Sequence, residues 1–101
     1  MKCLHCQRPF PRRVKAEAGI AILVQGDEYY YSYWLCDACD HYTVKSYHDR
    51  FAGDDEVSFL PPVSREVGDR AVELIAACPD PNDKFCDCES HQALFYGLPQ
   101  D

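Results

Sequence analysis

Seven cysteines sort into three clusters along this chain: Cys3 and Cys6, Cys36 and Cys39, then Cys78, Cys86 and Cys88, with His91 three residues further on. Four plus four soft ligands is the stoichiometry of two closed tetrahedral zinc sites. At 101 residues the chain can bury only about 60–70% of its unfolded surface, so a staple helps it fold. Disulfides are one such staple, but the cysteine count is odd and no charged-then-apolar signal region opens the sequence. The expectation is therefore metal in a reducing, cytoplasmic compartment, with two Zn²⁺ per chain as cofactor. No apolar run approaches the roughly 20 residues of a membrane-spanning helix, and no membrane contact is expected.

Between the first two pairs the residues predict a β-hairpin. Ala18–Val24 and Tyr29–Leu35 are rich in β-branched and aromatic residues, and Gly26-Asp27 suits a type II′ turn with glycine first. That turn pairs 24 with 29, 22 with 31 and 20 with 33. It puts Val24, Ile22, Ile20, Tyr29, Tyr31 and Tyr33 on one core-forming face. The other face carries Leu23, Tyr30, Ala21, Ser32, Gly19 and Trp34, with the indole expected across the bare glycine. Packing of Tyr30 and Trp34 under a helix is the simpler expectation for this face, and exposure for binding is the other. His41–Tyr47 supplies a third strand. Ala52-Gly53-Asp54-Asp55-Glu56 reads as a solvated acidic loop.

Pro61-Pro62 excludes regular helix just upstream and leaves Ser64 as N-cap of a helix to about Ala77. Val67, Ala71, Leu74, Ile75 and Cys78 recur at steps of three and four, one apolar stripe. Gly68 weakens that helix without forbidding it. Prolines 79 and 81 force a loop after Cys78. Asp87 is placed to cap a last helix from about Cys88 to Tyr96, ended by Gly97 and Pro99, with Cys88 and His91 on one face.

Each Cys-x-x-Cys pair, Cys3-Leu4-His5-Cys6 and Cys36-Asp37-Ala38-Cys39, lets a tight turn present two thiolates to one ion. A hairpin between them starts and ends at the same place, which brings the turns together. This arrangement resembles the zinc-ribbon superfamily over residues 1–47, and the resemblance implies a structural metal without selecting a function. The 29-residue gap between the pairs is also similar to rubredoxins, in which the same four thiolates hold one iron for electron transfer. Rubredoxins carry glycine directly after each pair where this chain has Gln7 and Asp40, a departure that counts against iron. Cys78, Cys86, Cys88 and His91 form the second expected site, a Cys₃His knuckle that matches no common spacing. His5, His41 and His48 are surplus to four thiols and read as surface or strand residues.

The fold class expected is α+β: a three-stranded antiparallel zinc ribbon over residues 1–50, then residues 51–101 with one helix and the Cys₃His knuckle, packed as one unit. Charge is divided unequally, with seven Lys/Arg against six Asp/Glu in residues 1–50 and three against eleven in the rest. With both sites filled the net charge of -7 falls to about -10, because thiolates outnumber the metal charge. Such a chain repels phosphate overall, and nucleic acid is expected only at the basic knuckle of Lys2, Arg8, Arg12, Arg13 and Lys15. Pairing of Arg12 and Arg13 with acidic groups of the same chain is the blander expectation for two of these.

No catalytic signature is present. A catalytic zinc needs an open coordination position, and the deaminase pattern of His-x-Glu with Pro-Cys-x-x-Cys is absent. The function expected is a binding or regulatory module with an unidentified protein partner; a nucleic-acid-associated ribbon is the alternative, and electron transfer ranks below both.

Overall fold

The structure, a computed structural model, describes residues 1–11, 13–49, 53 and 55–100. Among the described residues five strands and two helices follow in order: β1 (Ala18–Val24), β2 (Asp27–Cys36), β3 (His41–Asp49), β4 (Glu56–Phe59), β5 (Val63–Ser64), α1 (Arg65–Ala77) and α2 (Glu89–Tyr96). The sheet is antiparallel in the order β1-β2-β3-β4, with β5 also paired to β3. Both helices lie in a second layer, so the architecture is α+β. No helix among the described residues is long and apolar enough to cross a membrane.

The sheet is larger than the three strands expected. Glu56, the end of the expected acidic loop, and Val57–Phe59, for which no element was expected, pair with Lys45–His48, and Val63–Ser64 pairs with His41–Tyr42. Together β4 and β5 make one interrupted edge strand. Pro61-Pro62 breaks it because proline has no N–H to give to a ladder. Ala52 and Asp54 of the expected acidic loop lie outside the described residues; Asp55 accepts from the Tyr47 hydroxyl and Glu56 opens β4.

The β1–β2 turn is also corrected. Val24 pairs with Asp27, Ile22 with Tyr29 and Ile20 with Tyr31, so the two turn residues are Gln25 and Gly26. Both have positive φ, 51° and 89°, the requirement of a type I′ turn. Asp27 is drawn into the strand, where its carboxylate meets His48 Nε2 at 3.1 Å. A two-residue register change preserves side-chain parity, so the expected core face survives.

Of that face Ile20, Ile22 and Tyr33 are core, whereas Tyr29 and Tyr31 are half-buried and Val24, at the hairpin end, is exposed rather than buried as expected. Ile20, Ile22, Tyr33, Tyr42 and Val44 pack against Val67, Ala71 and Ile75 of α1 and Leu94 of α2. α1 begins where expected, with the Ser64 hydroxyl accepting from Val67 N at 3.3 Å, and of the expected stripe only Leu74 is half-exposed. Gly68 faces the Tyr42 ring so closely that a Cβ there would lie 1.9 Å from a ring carbon. The Tyr42 hydroxyl donates to Asp69 at 2.5 Å, fixing the ring in that place.

Tyr30 and Trp34 are not under the helix, because α1 packs on the other side of the sheet. The ring over Gly19 is that of Tyr30 rather than the indole expected. Trp34 is half-buried, donates Nε1–H to Ser32 Oγ at 3.0 Å and lies 6.3 Å from Phe10.

Candidate metal centres

Residues 2–9 form a small loop closed by a Lys2–Pro9 bridge, with Cys3 N donating to Arg8 O at 2.9 Å. Within it Gln7 N donates to Cys3 O at 2.9 Å. The turn from β2 into β3 repeats this pattern: Asp40 N donates to Cys36 O at 2.9 Å. Gln7 and Asp40 both have positive φ, 68° and 54°. The left-handed residue that a glycine would supply is present in both knuckles, so the absence of glycine after each pair does not separate zinc from iron. Leu4 N donates to the fully buried Thr43 hydroxyl at 3.1 Å, tying the first knuckle to β3.

Cys3, Cys6, Cys36 and Cys39 thus meet at one end of the sheet, their sulfurs all within 4.8 Å of one another. Cys3 and Cys39 are 3.6 Å apart, as are Cys6 and Cys36. A tetrahedral ion with bonds of about 2.3 Å spaces its sulfurs about 3.8 Å apart, whereas a disulfide needs about 2.05 Å. All seven cysteines are free.

The second group, Cys78, Cys86, Cys88 and His91, also has its ligand atoms within 4.8 Å. Cys78 closes α1 as its C-cap; the loop of residues 79–87 returns Cys86; Cys88 caps α2 and His91 lies in its first turn. Cys78 Sγ is 3.7 Å from Cys86 Sγ and 3.4 Å from His91 Nδ1. Asp87 does not cap α2. Cys88 is the N-cap, and its sulfur accepts from His91 N at 3.3 Å, so it precedes the helix instead of sharing a helical face with His91. A thiolate serves there because it is an anion at the positive end of the helix dipole.

His91 has a second role. Its Nε2 meets the carbonyl oxygen of Ala21 in β1 at 2.6 Å, which makes Nε2 the protonated nitrogen and leaves the Nδ1 lone pair for a metal. Ala21 N in turn donates to Pro81 O at 2.8 Å. The loop and first turn of α2 therefore occupy both polar groups of one residue on the sheet's outer edge. Nothing in the local sequence around Ala21 or Thr43 signals either contact, because both partners are remote in the chain.

Protons compete within each cluster. Burial opposes ionisation of Cys3, yet the N–H groups of Cys6 and His5, which bond to its sulfur, bring the thiol down to about 6. Cys39 is pushed up to about 12 by burial and by the neighbouring Cys3, Cys6 and Cys36 sulfurs. In the second cluster burial, with Cys88 and Cys86 adding to it, pushes Cys78 up to about 12, while the His91 N–H holds Cys88 down. Thiolates packed this closely ionise together only around a cation, which is why these donor sets fit a soft divalent metal.

His5 and His41 stack with centroids 3.6 Å apart and planes 5° apart, and with Cys39 their ligand atoms also fall within 4.8 Å. His41 Nδ1 bonds to Cys39 O at 2.8 Å. Stacked imidazoles keep their in-plane lone pairs in separate parallel planes, so both cannot point at one ion. His48 stacks on Tyr29 and pairs with Asp27.

No family model, no curated protein and no solved structure matches this chain.

Proposed function

We propose that this chain is a small zinc-scaffolded binding module, with two structural Zn²⁺ ions and no catalytic centre. The observation that carries the reading is that each cluster brings four ligand atoms within 4.8 Å. Four protein ligands close a tetrahedral shell and leave no position for substrate or activated water. The imidazole in the second cluster favours zinc over an iron-thiolate centre there, since mixed thiolate and imidazole donors suit Zn²⁺.

What such a scaffold offers is surface. The sheet face opposite the helices carries Tyr30, Tyr47, Val57 and Phe59, all exposed, beside half-buried Trp34. Exposed aromatic clusters of this kind mark interaction sites more often than scattered single residues do.

The test is metal content per chain together with the visible spectrum of the purified protein. Two zinc ions and no colour support the proposal, and Co²⁺ exchange should then give tetrahedral d–d bands from both sites. One zinc removes the second site from the reading. Iron with charge-transfer colour replaces the binding module with electron transfer.

A further inference from the structure

Between the N-terminal segment and the uncovered sheet face lies a cleft of about 260 Å³, lined by Met1, Phe10, Pro11, Val14, Trp34 and Lys45. Its chemistry is narrow. The indole N–H is already given to Ser32, so Trp34 presents a π-face and no free donor. Phe10, tilted 52° to it, presents another. Lys45 supplies a cation and forms no ion pair among the described residues. Across the β3–β4 ladder Lys45 opposes Phe59, which is 42% exposed. The cleft thus suits a flat ring that carries negative charge.

The segment that supplies Met1, Phe10, Pro11 and Val14 to the cleft extends that charge preference. Residues 1–16 hold Lys2, Arg8, Arg12, Arg13 and Lys15 and no Asp or Glu, in a chain whose net charge is -7. Arg12 lies outside the described residues. The other four form no ion pair among those described, so the expected internal pairing of Arg13 is absent there. Acidic groups gather elsewhere on the sheet, where Asp49, Asp55 and Glu28 surround Tyr47. Glu17 and then Asp27 are the nearest acids along the chain to this segment.

We propose that this cleft and the basic segment beside it bind single-stranded nucleic acid, with a base against Trp34 and Phe10 and phosphates at Lys45 and at Lys2, Arg8, Arg13 and Lys15. The proposal rests on the binding-module reading and names its ligand. An acidic peptide satisfies the cations but has no obligatory flat group for the π-faces, whereas every nucleotide carries both. A duplex is disfavoured because both helices lie on the other side of the sheet and none can enter a groove. A single nucleotide fills the cleft and leaves most of the basic segment unused.

Trp34 is the only tryptophan, so its emission reports directly on the cleft. The zinc-loaded full chain is titrated with a thymidylate 12-mer, thymidine 5′-monophosphate and decaglutamate, first at 50 mM and then at 200 mM salt. The 12-mer is expected to quench saturably, and affinity should fall about 10- to 20-fold at the higher salt, as for about three phosphate contacts. Lys45→Glu should weaken binding at least tenfold with metal content and circular dichroism unchanged. Arg13→Glu, on the exposed segment, provides a second variant should Lys45→Glu disturb the sheet, and it should weaken binding in the same direction. Absence of quenching at 50 mM salt overturns the proposal. Equal affinity for decaglutamate overturns it in favour of an anionic protein partner and leaves the binding module standing. Monophosphate binding as tight as the 12-mer overturns the strand in favour of a nucleotide site. Metal content is read separately, so failure of the zinc scaffold is distinguishable from failure of the ligand.

Discussion

Gly68 sits in the interior of α1, where alanine would ordinarily improve helix stability by about 1 kcal/mol. Here the reverse is expected, because the added Cβ would fall 1.9 Å from the Tyr42 ring, and forcing a methyl into a packed core costs about 1–3 kcal/mol. Gly68→Ala should therefore lower the Tm in thermal denaturation, and a raised Tm would show that the ring moves freely. The same ring contributes to alkaline behaviour. Burial pushes Tyr33 up to about 12, with Tyr31 adding to it, and burial followed by Asp69 raises Tyr42 as well. Unfolded tyrosine ionises near 10. Above that pH the unfolded chain binds fewer protons than the folded one, so stability falls as pH rises. Urea midpoints should be insensitive to these groups below about pH 9.5 and drop progressively from 10 to 12; a midpoint flat across that window would contradict the burial of both phenols. Gly68 in the sequence showed only a weakened helix. The reason for it, a ring from a strand 26 positions earlier, is a tertiary contact.

Among the elements, the β1–β2 hairpin shows how one glycine admits two turns. Gly26-Asp27 with glycine first predicts type II′, and Gln25-Gly26 with glycine second is type I′. Both twist in the sense that antiparallel strands need. The outcome is decided outside the hairpin, where Asp27 reaches His48 on β3. Gln25 is left at φ 51°, a conformation asparagine tolerates better. Gln25→Asn should stabilise the protein by about 0.5 kcal/mol and raise the Tm by a few degrees, and a fall in Tm would argue against the type I′ turn. α2 illustrates a different dependence. Eight residues make a marginal helix in water, and its N-cap acceptor is the Cys88 sulfur, so the cap and a candidate metal ligand are one atom. The sequence placed this helix and missed its cap by one residue because Asp87 has the better capping side chain. β4 was not legible at all: Glu56–Phe59 is exposed throughout, and only pairing with β3 makes it a strand.

For the molecule as a whole, the second cluster matters most where it meets the sheet. Ala21 donates its N–H to Pro81 O and accepts at its carbonyl oxygen from His91 Nε2, so the second cysteine cluster blocks an edge that would otherwise present unpaired groups. His91→Cys should retain a second metal as a four-thiolate site but leave the Ala21 oxygen without its donor. Amide exchange at Ala21 is then expected to accelerate about tenfold, the equivalent of one modest hydrogen bond; unchanged exchange with both metals bound would mean that the imidazole does not hold the edge. The other edge, β4 and β5, is limited by Pro61-Pro62 instead. The sequence alone determined the two groups of candidate ligands, the hairpin, the Ser64-capped helix and the side-chain parity of the core face, because each is set by short cysteine spacings, by a local turn or cap, or by a repeat of two or 3.6. Only the tertiary structure decided which side of the sheet the helix covers, that β4 and β5 extend it, and that His91 holds β1. Those outcomes depend on contacts between residues far apart in the chain, and the cleft beside Trp34 is open because that packing placed α1 on the opposite face.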